Sequence, residues 1–541
     1  MHARRWLAVG LLLFALPLAR PSAGPIRLLR RPTPERSPIS AERQGRAPHI
    51  LLILSDDQAA GLMGIDGDPR QATPNLDGLA RQGVRFDRAY CNAPVCTASR
   101  QSLFTGRMPH AVGATQLLTP MPRSAVTLSD WLAALGYRTA AFGKLHFNTT
   151  DPHGFEVVED TPEWYRHDRP RRQARQTRRG EWRPFRDPPA IWLNARCLPT
   201  EIPAEDEESA YYADRAIEFL AQGDEGRPAF VVASFHEPHA PFVFPSDWPN
   251  RYDPRDFEVP ESTEAERRAR PRVFDRLTEE DFRGIQAAYY SSLSWMDRCI
   301  GRLLDRLDDL GLADDTIVLF VSDNGYLLGE HGRFEKNCFY EQAVRVPMIV
   351  RWPGKLPADR RVTEMAELVD IVPTLLDLAG LPKPPHLHGR SLAPLLKGHP
   401  DARGRRVVVS EYPENEEAMA RSARFKLIVG SGARRRRDGL DNGLPLPGPY
   451  EHLYDLEDDP RENHDLAGDP AYRSIADELR TELARRLRET REGQEPVPSW
   501  LDEGAAIRWS LVPRDRDRFA GLFDLLESRS RTGQDGGRVA R

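Results

Sequence analysis

The chain has 541 residues, 40% hydrophobic and 29% charged, so it is too long for a single small binding module and too apolar to stay unfolded. Its formal net charge of -5 argues against a generally basic nucleic-acid binder, and we expect no nucleic-acid partner. Only six of the 76 basic residues are lysines, at positions 144, 336, 355, 383, 397 and 426. We ascribe this bias to the source genome, but it makes each lysine position informative.

The N-terminal residues have the features of a secretory signal. A basic start at residues 1–5 precedes an apolar run of about 14 residues and then small residues at 22–24. The run is too short to span a bilayer comfortably, although an N-terminal membrane anchor is the alternative. We expect a signal peptide over residues 1–24, a linker over 25–47, and an exported protein, periplasmic or secreted, without stable membrane insertion.

From residue 48 onward, apolar segments alternate with helical segments. Residues 50–54 are continuously apolar, which predicts a strand buried on both faces of a parallel sheet. The next predicted elements are helix 74–82, strand 84–89, helix 127–135, strand 138–142, helix 210–222, strand 229–235, a helix from Thr278 to about residue 310, strand 316–321 and helix 364–378. This order predicts an α/β domain over residues 48–400, with a large, mostly parallel mixed sheet flanked by helices.

The pattern changes near residue 400. Short strands at 406–409 and 425–429, long loops and a helix at 475–488 predict a smaller α+β domain over residues 401–541 with a short antiparallel sheet. The five cysteines are too few for a disulfide scaffold. If Cys96 has a chemical role, the other four allow three pairings, among which the sequence does not choose.

Two of the predicted strands end in pairs of Asp or Asn residues, with three carboxylates and one carboxamide in all. Asp56 and Asp57 follow the first strand, and Asp323 and Asn324 follow strand 316–321. Ligands of open α/β sheets bind beyond the carboxyl ends of the strands, so we expect the two pairs to converge. Taken singly, each pair also fits an ordinary turn. Together they offer only oxygen ligands, which favours Ca²⁺ or Mg²⁺ over zinc.

Further polar residues follow other predicted elements. Cys96 precedes a predicted helix start, where free N–H groups favour an anion, and Arg100 supplies a fixed cation. The remaining candidates lie beyond strands 138–142, 229–235 and 316–321, and they are Lys144, His146, His239 and Lys336.

These motifs together resemble the sulfatase family of the alkaline-phosphatase-like superfamily. The resemblance is carried by C-T-A-S-R with a following T-G-R, H-E-P-H, S-D-N-G, G-E-H-G, Lys336, and L-Y-D-L-E-D-D-P-R-E near the C-terminus. The pattern looks closest to the branch that contains iduronate sulfatase and other carbohydrate sulfatases. It implies a sulfuric ester hydrolase acting on a sulfated carbohydrate or another sulfate ester.

The resemblance also implies that a maturation enzyme oxidises Cys96 to formylglycine (3-oxoalanine), whose hydrate is a geminal diol. One hydroxyl of the diol attacks sulfur, and the other later expels sulfate. Ala98 replaces the proline that usually stands two residues after the cysteine, which leaves open which maturation system acts.

The remaining site residues receive roles from the same resemblance. Asp56, Asp57, Asp323, Asn324 and the modified Cys96 would bind Ca²⁺, with Mg²⁺ as the alternative. Asp323 would be the base, and His146 would assist elimination. Arg100 and Lys144 would hold the diol and sulfate oxygens. His239 and Lys336 would contact sulfate and protonate the leaving alcohol.

Two other functions remain open at this point. The same site could act on phosphate or phosphonate esters, and an unmodified Cys96 would leave a noncatalytic glycan-binding protein.

An arginine-rich segment, residues 165–186, has nine arginines against Asp168 and Glu181, a local charge of +7. We hypothesise that it attracts polyanionic glycans, whereas a solvated loop paired with the acidic residues 205–208 is the alternative.

Overall fold

The structure is a computed structural model that describes residues 47–161, 163, 164, 166, 193–223, 226–434, 436, 440–491 and 494–513. The predicted signal peptide lies outside the described residues, as do nearly all of the predicted linker and of the arginine-rich segment. Within the described ranges, no helix combines the length and apolar character needed to cross a membrane.

The described strands and helices follow the predicted alternation over most of the chain. The strands are β1 (His49–Ser55), β2 (Val84–Tyr90), β3 (Arg138–Gly143), β4 (Val157–Glu159), β5 (Ala229–Ser234), β6 (Thr316–Ser322), β7 (Arg345–Arg351), β8 (Arg360–Glu367), β9 (Val408–Tyr412), β10 (Glu417–Arg421), β11 (Phe425–Gly430) and β12 (Tyr450–Asp455). The helices are α1 (Pro74–Arg81), α2 (Cys96–Thr105), α3 (Pro109–Val112), α4 (Leu128–Ala134), α5 (Glu208–Ala221), α6 (Glu264–Ala269), α7 (Glu279–Asp309), α8 (Glu341–Val344), α9 (Ile371–Leu378), α10 (Ala393–Leu396), α11 (Arg473–Glu489) and α12 (Glu503–Leu511).

The main sheet has eight strands in the order β4-β3-β5-β1-β6-β7-β2-β8. Its strands run parallel except β7, which is antiparallel to both of its neighbours, β6 and β2. The predicted mostly parallel mixed sheet is therefore confirmed. Its central strand, β1, pairs with β5 and β6, so the residues that follow all three strands lie at one edge.

Helices cover both faces of this sheet because the side chains of β1 alternate between two apolar clusters. Ile50, Leu52 and Leu54 pack with residues of α2, α4 and α9 on one face. Leu51 and Ile53 pack with residues of α1, α5 and α7 on the other. A strand buried on both faces needs an apolar residue at every position, which explains the continuous run in the sequence.

One predicted element is wrong in its first half. Residues 364–367, predicted as helix, belong to strand β8, and helix α9 begins only at Ile371. β8 runs parallel to β2 at the edge of the sheet, with Val84 opposite Arg360. Glu364, Met365 and Ala366 favour helices in isolation, but pairing with a distant strand overrides that preference. Strands β4, β7, β10 and β12 were not predicted.

The C-terminal part contains the expected antiparallel sheet, in the order β12-β11-β10-β9. One of its faces packs against α11 and α12 through Leu427, Leu453, Leu483 and Ile507, among other residues. The α+β character of this part is therefore confirmed, whereas the domain limits at residues 400 and 401 stay a prediction.

Candidate active site

Two pairs of polar residues, with three carboxylates and one carboxamide, lie side by side at the carboxyl edge of the main sheet. β1 and β6 are parallel neighbours whose last residues are partners in register, so Asp56 and Asp57 stand next to Asp323 and Asn324. The Asn324 amide donates to Asp57 Oδ1 over 2.7 Å, and the Asp57 N–H donates to Asp323 Oδ1 over 3.3 Å. All four side chains are buried. The predicted convergence of these residues is confirmed.

Helix α2 brings the cysteine and a cation to this edge. It begins at Cys96 and is buried along its whole length. Cys96 and Arg100 are four residues apart and share one helix face. Arg100 donates from Nε to Asp323 Oδ2 over 2.6 Å, and from Nη1 to the Lys144 carbonyl over 2.5 Å and Ser234 Oγ over 2.7 Å. The guanidinium is thereby fixed among β6, β3 and β5.

Lys144 reaches the acidic edge from the end of β3. Its N–H donates to the Ser234 carbonyl over 3.1 Å, and its ammonium group donates to the carboxylate of Asp56. Gly143, one residue earlier, has φ of 96°, and a Cβ there would lie 1.8 Å from the Ser234 carbonyl oxygen. Only glycine therefore fits where β3 and β5 approach each other, and this close approach directs Lys144 toward Asp56.

Lys336 and His239 meet on the other carboxylate. Lys336 Nζ donates to Asp57 Oδ1 over 2.5 Å, and His239 Nε2 lies 3.7 Å from Asp57 Oδ2. His239 Nδ1 lies 2.7 Å from the Ala240 carbonyl, so we assign the ring proton to Nδ1 and a lone pair to Nε2. Burial, followed by the charge of Lys336, lowers the pKa of His239 to about 3, so the ring is neutral.

Cys96 and His146 lie within reach of the same buried charges. The five cysteines carry no disulfide bond, and the side chain of Cys96 is 2% exposed. Burial raises the pKa of its thiol, while the charges of Lys144 and Lys336 oppose that rise. His146 lies just after β3 with φ of 58°. Burial, followed by the charge of Lys144, lowers the pKa of His146 well below its usual value, which keeps the imidazole neutral.

Three carboxylates and three cations share the site, and the pKa values of the three carboxylates differ from one another. Burial tends to raise the pKa of Asp56, but the charges of nearby basic groups, with Lys144 the strongest, hold it well below the ordinary value. For Asp57 and Asp323 burial prevails, and the pKa of each rises to about 6. Asp56 is therefore the most firmly ionised of the three.

The donor set fits a hard divalent cation. Asp56 Oδ1, Asp57 Oδ2 and Asn324 Oδ1 are buried, and none of them accepts a hydrogen bond from the described residues. A buried oxygen without a donor is destabilising unless another partner satisfies it. Oxygen ligands of this kind suit Ca²⁺ or Mg²⁺.

The cluster of potential ligand atoms differs from the predicted ligand set, because it contains His239 and includes neither Asp323 nor Cys96. Atoms of Asp56, Asp57 and His239 all lie within 4.8 Å of one another. Asp323 instead accepts from Arg100 with Oδ2 and from the N–H groups of Asp57 and Asn324 with Oδ1. His239, assigned from the sequence to the substrate, thus lies where a ligand of the ion would also lie.

Some residues that shape the site were not predicted. Ser234 donates to the Lys144 carbonyl over 2.6 Å, and Ser99 donates to the Asp323 carbonyl. Tyr289, on α7, donates to the Asp57 carbonyl over 2.7 Å. Ser234 could have been found as the polar residue near the end of predicted strand 229–235, whereas Tyr289 resembles any other aromatic residue of a core helix.

The mixed sheet, its acidic carboxyl edge and the buried helix that begins at Cys96 define the alkaline-phosphatase-like fold. The family described as Sulfatase matches residues 48–381. The choline-sulfatase of Rhizobium meliloti is 30% identical over 492 residues, covering 85% of this chain and 90% of that protein. Iduronate 2-sulfatase of Mus musculus is 28% identical over 395 residues, covering 63% and 70%.

Among solved structures, the phosphonate monoester hydrolase of Agrobacterium radiobacter is similar, with a TM-score of 0.69 and 26% identity. The similarity covers 82% of this chain and 96% of that one. The chain belongs to the sulfatase family, and it is a sulfuric ester hydrolase. The resemblance found in its motifs is confirmed.

Proposed function

We propose that this enzyme hydrolyses sulfate esters of carbohydrates through a formylglycine formed from Cys96, with Ca²⁺ bound beside it. The observation that carries the proposal is the position of Cys96 at the start of a buried helix, one turn from Arg100 and within reach of the charges of Lys144 and Lys336. Formed at Cys96, hydrated formylglycine would supply a geminal diol, with one hydroxyl as the nucleophile toward sulfur and the other to release sulfate.

The acidic edge would hold the cation. Asp56, Asp57 and Asn324 each have a buried oxygen without a hydrogen bond from the described residues, and Asp323 lies directly beside them. A bound Ca²⁺ or Mg²⁺ would polarise a sulfate oxygen. The modified Cys96 would complete the predicted ligand set, and His239 is a further candidate because of its distance from Asp57.

The other side chains bind and orient the sulfate group and move its protons. Arg100, fixed by hydrogen bonds to three strand ends, and Lys144 hold the diol and sulfate oxygens. Lys336 carries protons on Nζ and is the better donor to the leaving alcohol, since the lone pair of His239 Nε2 can only accept a proton. His146, neutral at ordinary pH, assists elimination by accepting a proton. The base toward the diol is Asp323, whose pKa of about 6 lies near neutrality.

Maturation requires access to Cys96. The residue is 2% exposed and belongs to a helix without an exposed position, so a maturation enzyme must act before α2 packs against the sheet. We propose that such an enzyme is a transient partner of the unfolded or partly folded chain.

We also propose that the protein is exported to the periplasm or the medium and loses residues 1–24. N-terminal sequencing of fractionated protein tests this proposal.

Mass spectrometry of the Cys96 peptide tests the central claim. Conversion of the thiol to an aldehyde lowers the peptide mass by about 18 Da, and a Cys96→Ala variant should lack activity. An unmodified Cys96 in native, active protein would contradict the proposal, and in inactive protein it would leave the noncatalytic glycan-binding function.

The alternative ester class is tested separately. The structural similarity to a phosphonate monoester hydrolase favours it as the second candidate function. We expect kcat/KM to be higher for sulfate esters, including sulfated sugars, than for matched phosphate and phosphonate esters. The reverse order would assign the enzyme to phosphoryl substrates.

A further inference from the structure

A third lysine is more deeply buried than the two of the site, although it lies on the C-terminal sheet. Lys426, on β11, has no exposed surface. Its Nζ donates to the Phe339 carbonyl over 2.8 Å and to Glu462 Oε1 over 2.7 Å, and it lies 2.9 Å from Glu341 Oε1. The buried ammonium group is therefore held by two hydrogen bonds and one ion pair.

Two of these three partners of Lys426 belong to the segment that follows Lys336. Phe339 comes three residues after Lys336, and Glu341 begins helix α8. The N–H of Glu341 donates to Glu462 Oε2 over 2.7 Å, so Glu462 binds both Lys426 and the start of α8. Glu462 is the last acidic residue of the L-Y-D-L-E-D-D-P-R-E motif, and only 2% of it is exposed.

The same helix contacts the segments that carry the rest of the site. Glu341 Oε2 accepts from the Tyr90 hydroxyl over 3.0 Å, and Tyr90 ends the strand that leads to Cys96. The N–H of Cys91 donates to the Val344 carbonyl over 2.9 Å. The N–H of Gly325, the residue after Asn324, donates to the Ala343 carbonyl over 2.9 Å. A shift of α8 would therefore reach both Cys96 and Asn324.

Ionic contacts between the Glu341 carboxylate and nearby basic side chains hold helix α8 in place. Burial tends to raise the pKa of Glu341, but Lys426, followed by Arg421 and Arg345, lowers it to about 2, so the carboxylate is ionised. Removing one partner of a buried ion pair leaves the other charge uncompensated, which is strongly destabilising locally.

We infer that Lys426 and Glu462 are positioning residues, which hold segment 336–344 so that the Lys336 ammonium meets Asp57 and the sulfate group. The C-terminal sheet thereby takes part in forming the active site. This inference rests on the proposed role of Lys336 and deepens it.

A double-mutant cycle on kcat tests this inference, with 4-nitrophenyl sulfate as substrate. The variants are Lys426→Met, Glu462→Gln, Lys336→Ala and the two doubles with Lys336→Ala, all normalised to the formylglycine content of the folded protein. Glu462→Gln is the milder change, since its amide oxygen still accepts from the Glu341 N–H. We expect Lys426→Met and Glu462→Gln to lower kcat at least tenfold alone, but less than threefold in the Lys336→Ala background, because coupled residues are not additive.

Arg138→Met serves as the control for lost stability. Arg138 is a buried cation at the start of β3, the opposite end of the strand from the site, so its loss should lower the melting temperature without coupling to Lys336. Equal losses of kcat in both backgrounds, or wild-type kcat in Lys426→Met and Glu462→Gln, would overturn the positioning role and leave the proposed function intact. Wild-type kcat in Lys336→Ala would instead refute the proposed role of Lys336, and the inference with it.

Discussion

The side-chain amide of Asn324 donates to Asp57 across 2.7 Å, although the two residues are 267 positions apart. This bond leaves Asn324 Oδ1 and Asp57 Oδ2 free of hydrogen bonds from the described residues, as is Asp56 Oδ1. The amide thus joins two strand ends while its own oxygen remains available as a ligand.

Removal of divalent metal should abolish activity and lower the melting temperature. A chelator would leave buried oxygens without a partner, and ligand binding at 100 times its Kd stabilises a protein by about 2.7 kcal/mol. We expect Ca²⁺ to restore both activity and melting temperature, and Asn324→Ala to require a higher Ca²⁺ concentration. Full activity after exhaustive chelation would contradict the metal site.

Arginine should not replace either lysine of the site. Lys144 and Lys336 each place a compact ammonium group against one carboxylate in a buried space, where a planar guanidinium does not fit the same contact. Lys144→Arg and Lys336→Arg should each lower kcat at least tenfold, which corresponds to about 1.4 kcal/mol in the barrier. The exposed Lys355→Arg is the matched control, and wild-type turnover in both site variants would refute this prediction.

Gly143 should tolerate no side chain. In Gly143→Ala, the new Cβ would meet the Ser234 carbonyl oxygen, whereas in Gly136→Ala, at a similar φ of 90°, nothing lies within 4 Å. Gly136→Ala should cost about 1–2 kcal/mol for the backbone conformation alone. Gly143→Ala should cost about 1–3 kcal/mol more through the clash and should also reduce kcat by moving Lys144. Urea unfolding measures the difference, and equal costs for the two variants would argue against it.

The enzyme should lose stability in acid through His388, away from the site. Burial, reinforced by the charge of Arg107, lowers the pKa of His388 to about 3, against 6.5 for a free histidine. Below pH 6.5 His388 binds a proton in the unfolded chain but stays neutral in the folded protein. The free energy of unfolding therefore falls as the pH falls toward about 3.

His388→Gln removes this titration while keeping an acceptor for the Met108 N–H, which His388 Nδ1 accepts over 3.0 Å. Its free energy of unfolding should therefore fall less steeply than that of wild type between pH 6.5 and about pH 4. The exposed His399→Gln is the control, and identical slopes for wild type and His388→Gln would count against the assignment.

The arginine-rich segment gives a prediction about substrate size. On the hypothesis that this segment attracts polyanions, neutralising Arg171, Arg172, Arg178 and Arg179 should raise KM for a polymeric sulfated glycan. KM for a small aryl sulfate should not change, since a single charged group gains little from that field. Equal changes in KM for both substrates, or no change for either, would refute the hypothesis that this segment attracts polyanionic glycans.

Much of the site could be predicted because strand ends leave a clear mark in the sequence. Continuous apolar runs located β1 and β6, so Asp56, Asp57, Asp323 and Asn324 could be placed together before any coordinates. The helix start at Cys96 and the strand end before Lys144 could be predicted from the sequence in the same way.

The missed features depend on contacts between distant segments. β8 forms because it lies against β2, and nothing within residues 360–367 indicates that partner. In the sequence, Lys426 is not distinguishable from any other strand residue. Its ion pairs with Glu341 and Glu462 form only in the folded protein. Local patterns record burial and period, whereas pairing and ionic contacts between distant residues are properties of the assembled fold.

The pairing of β1 with β6 has a kinetic consequence. Asp57 and Asp323 come together across 266 positions of chain, and contacts between such distant residues form slowly because a long loop must close first. The acidic edge that joins Asp57 to Asp323 therefore cannot exist on a nascent chain until β6 has been synthesised and docked. Recovery of turnover after denaturation should accordingly lag behind recovery of helical signal, which makes catalysis a late reporter of refolding.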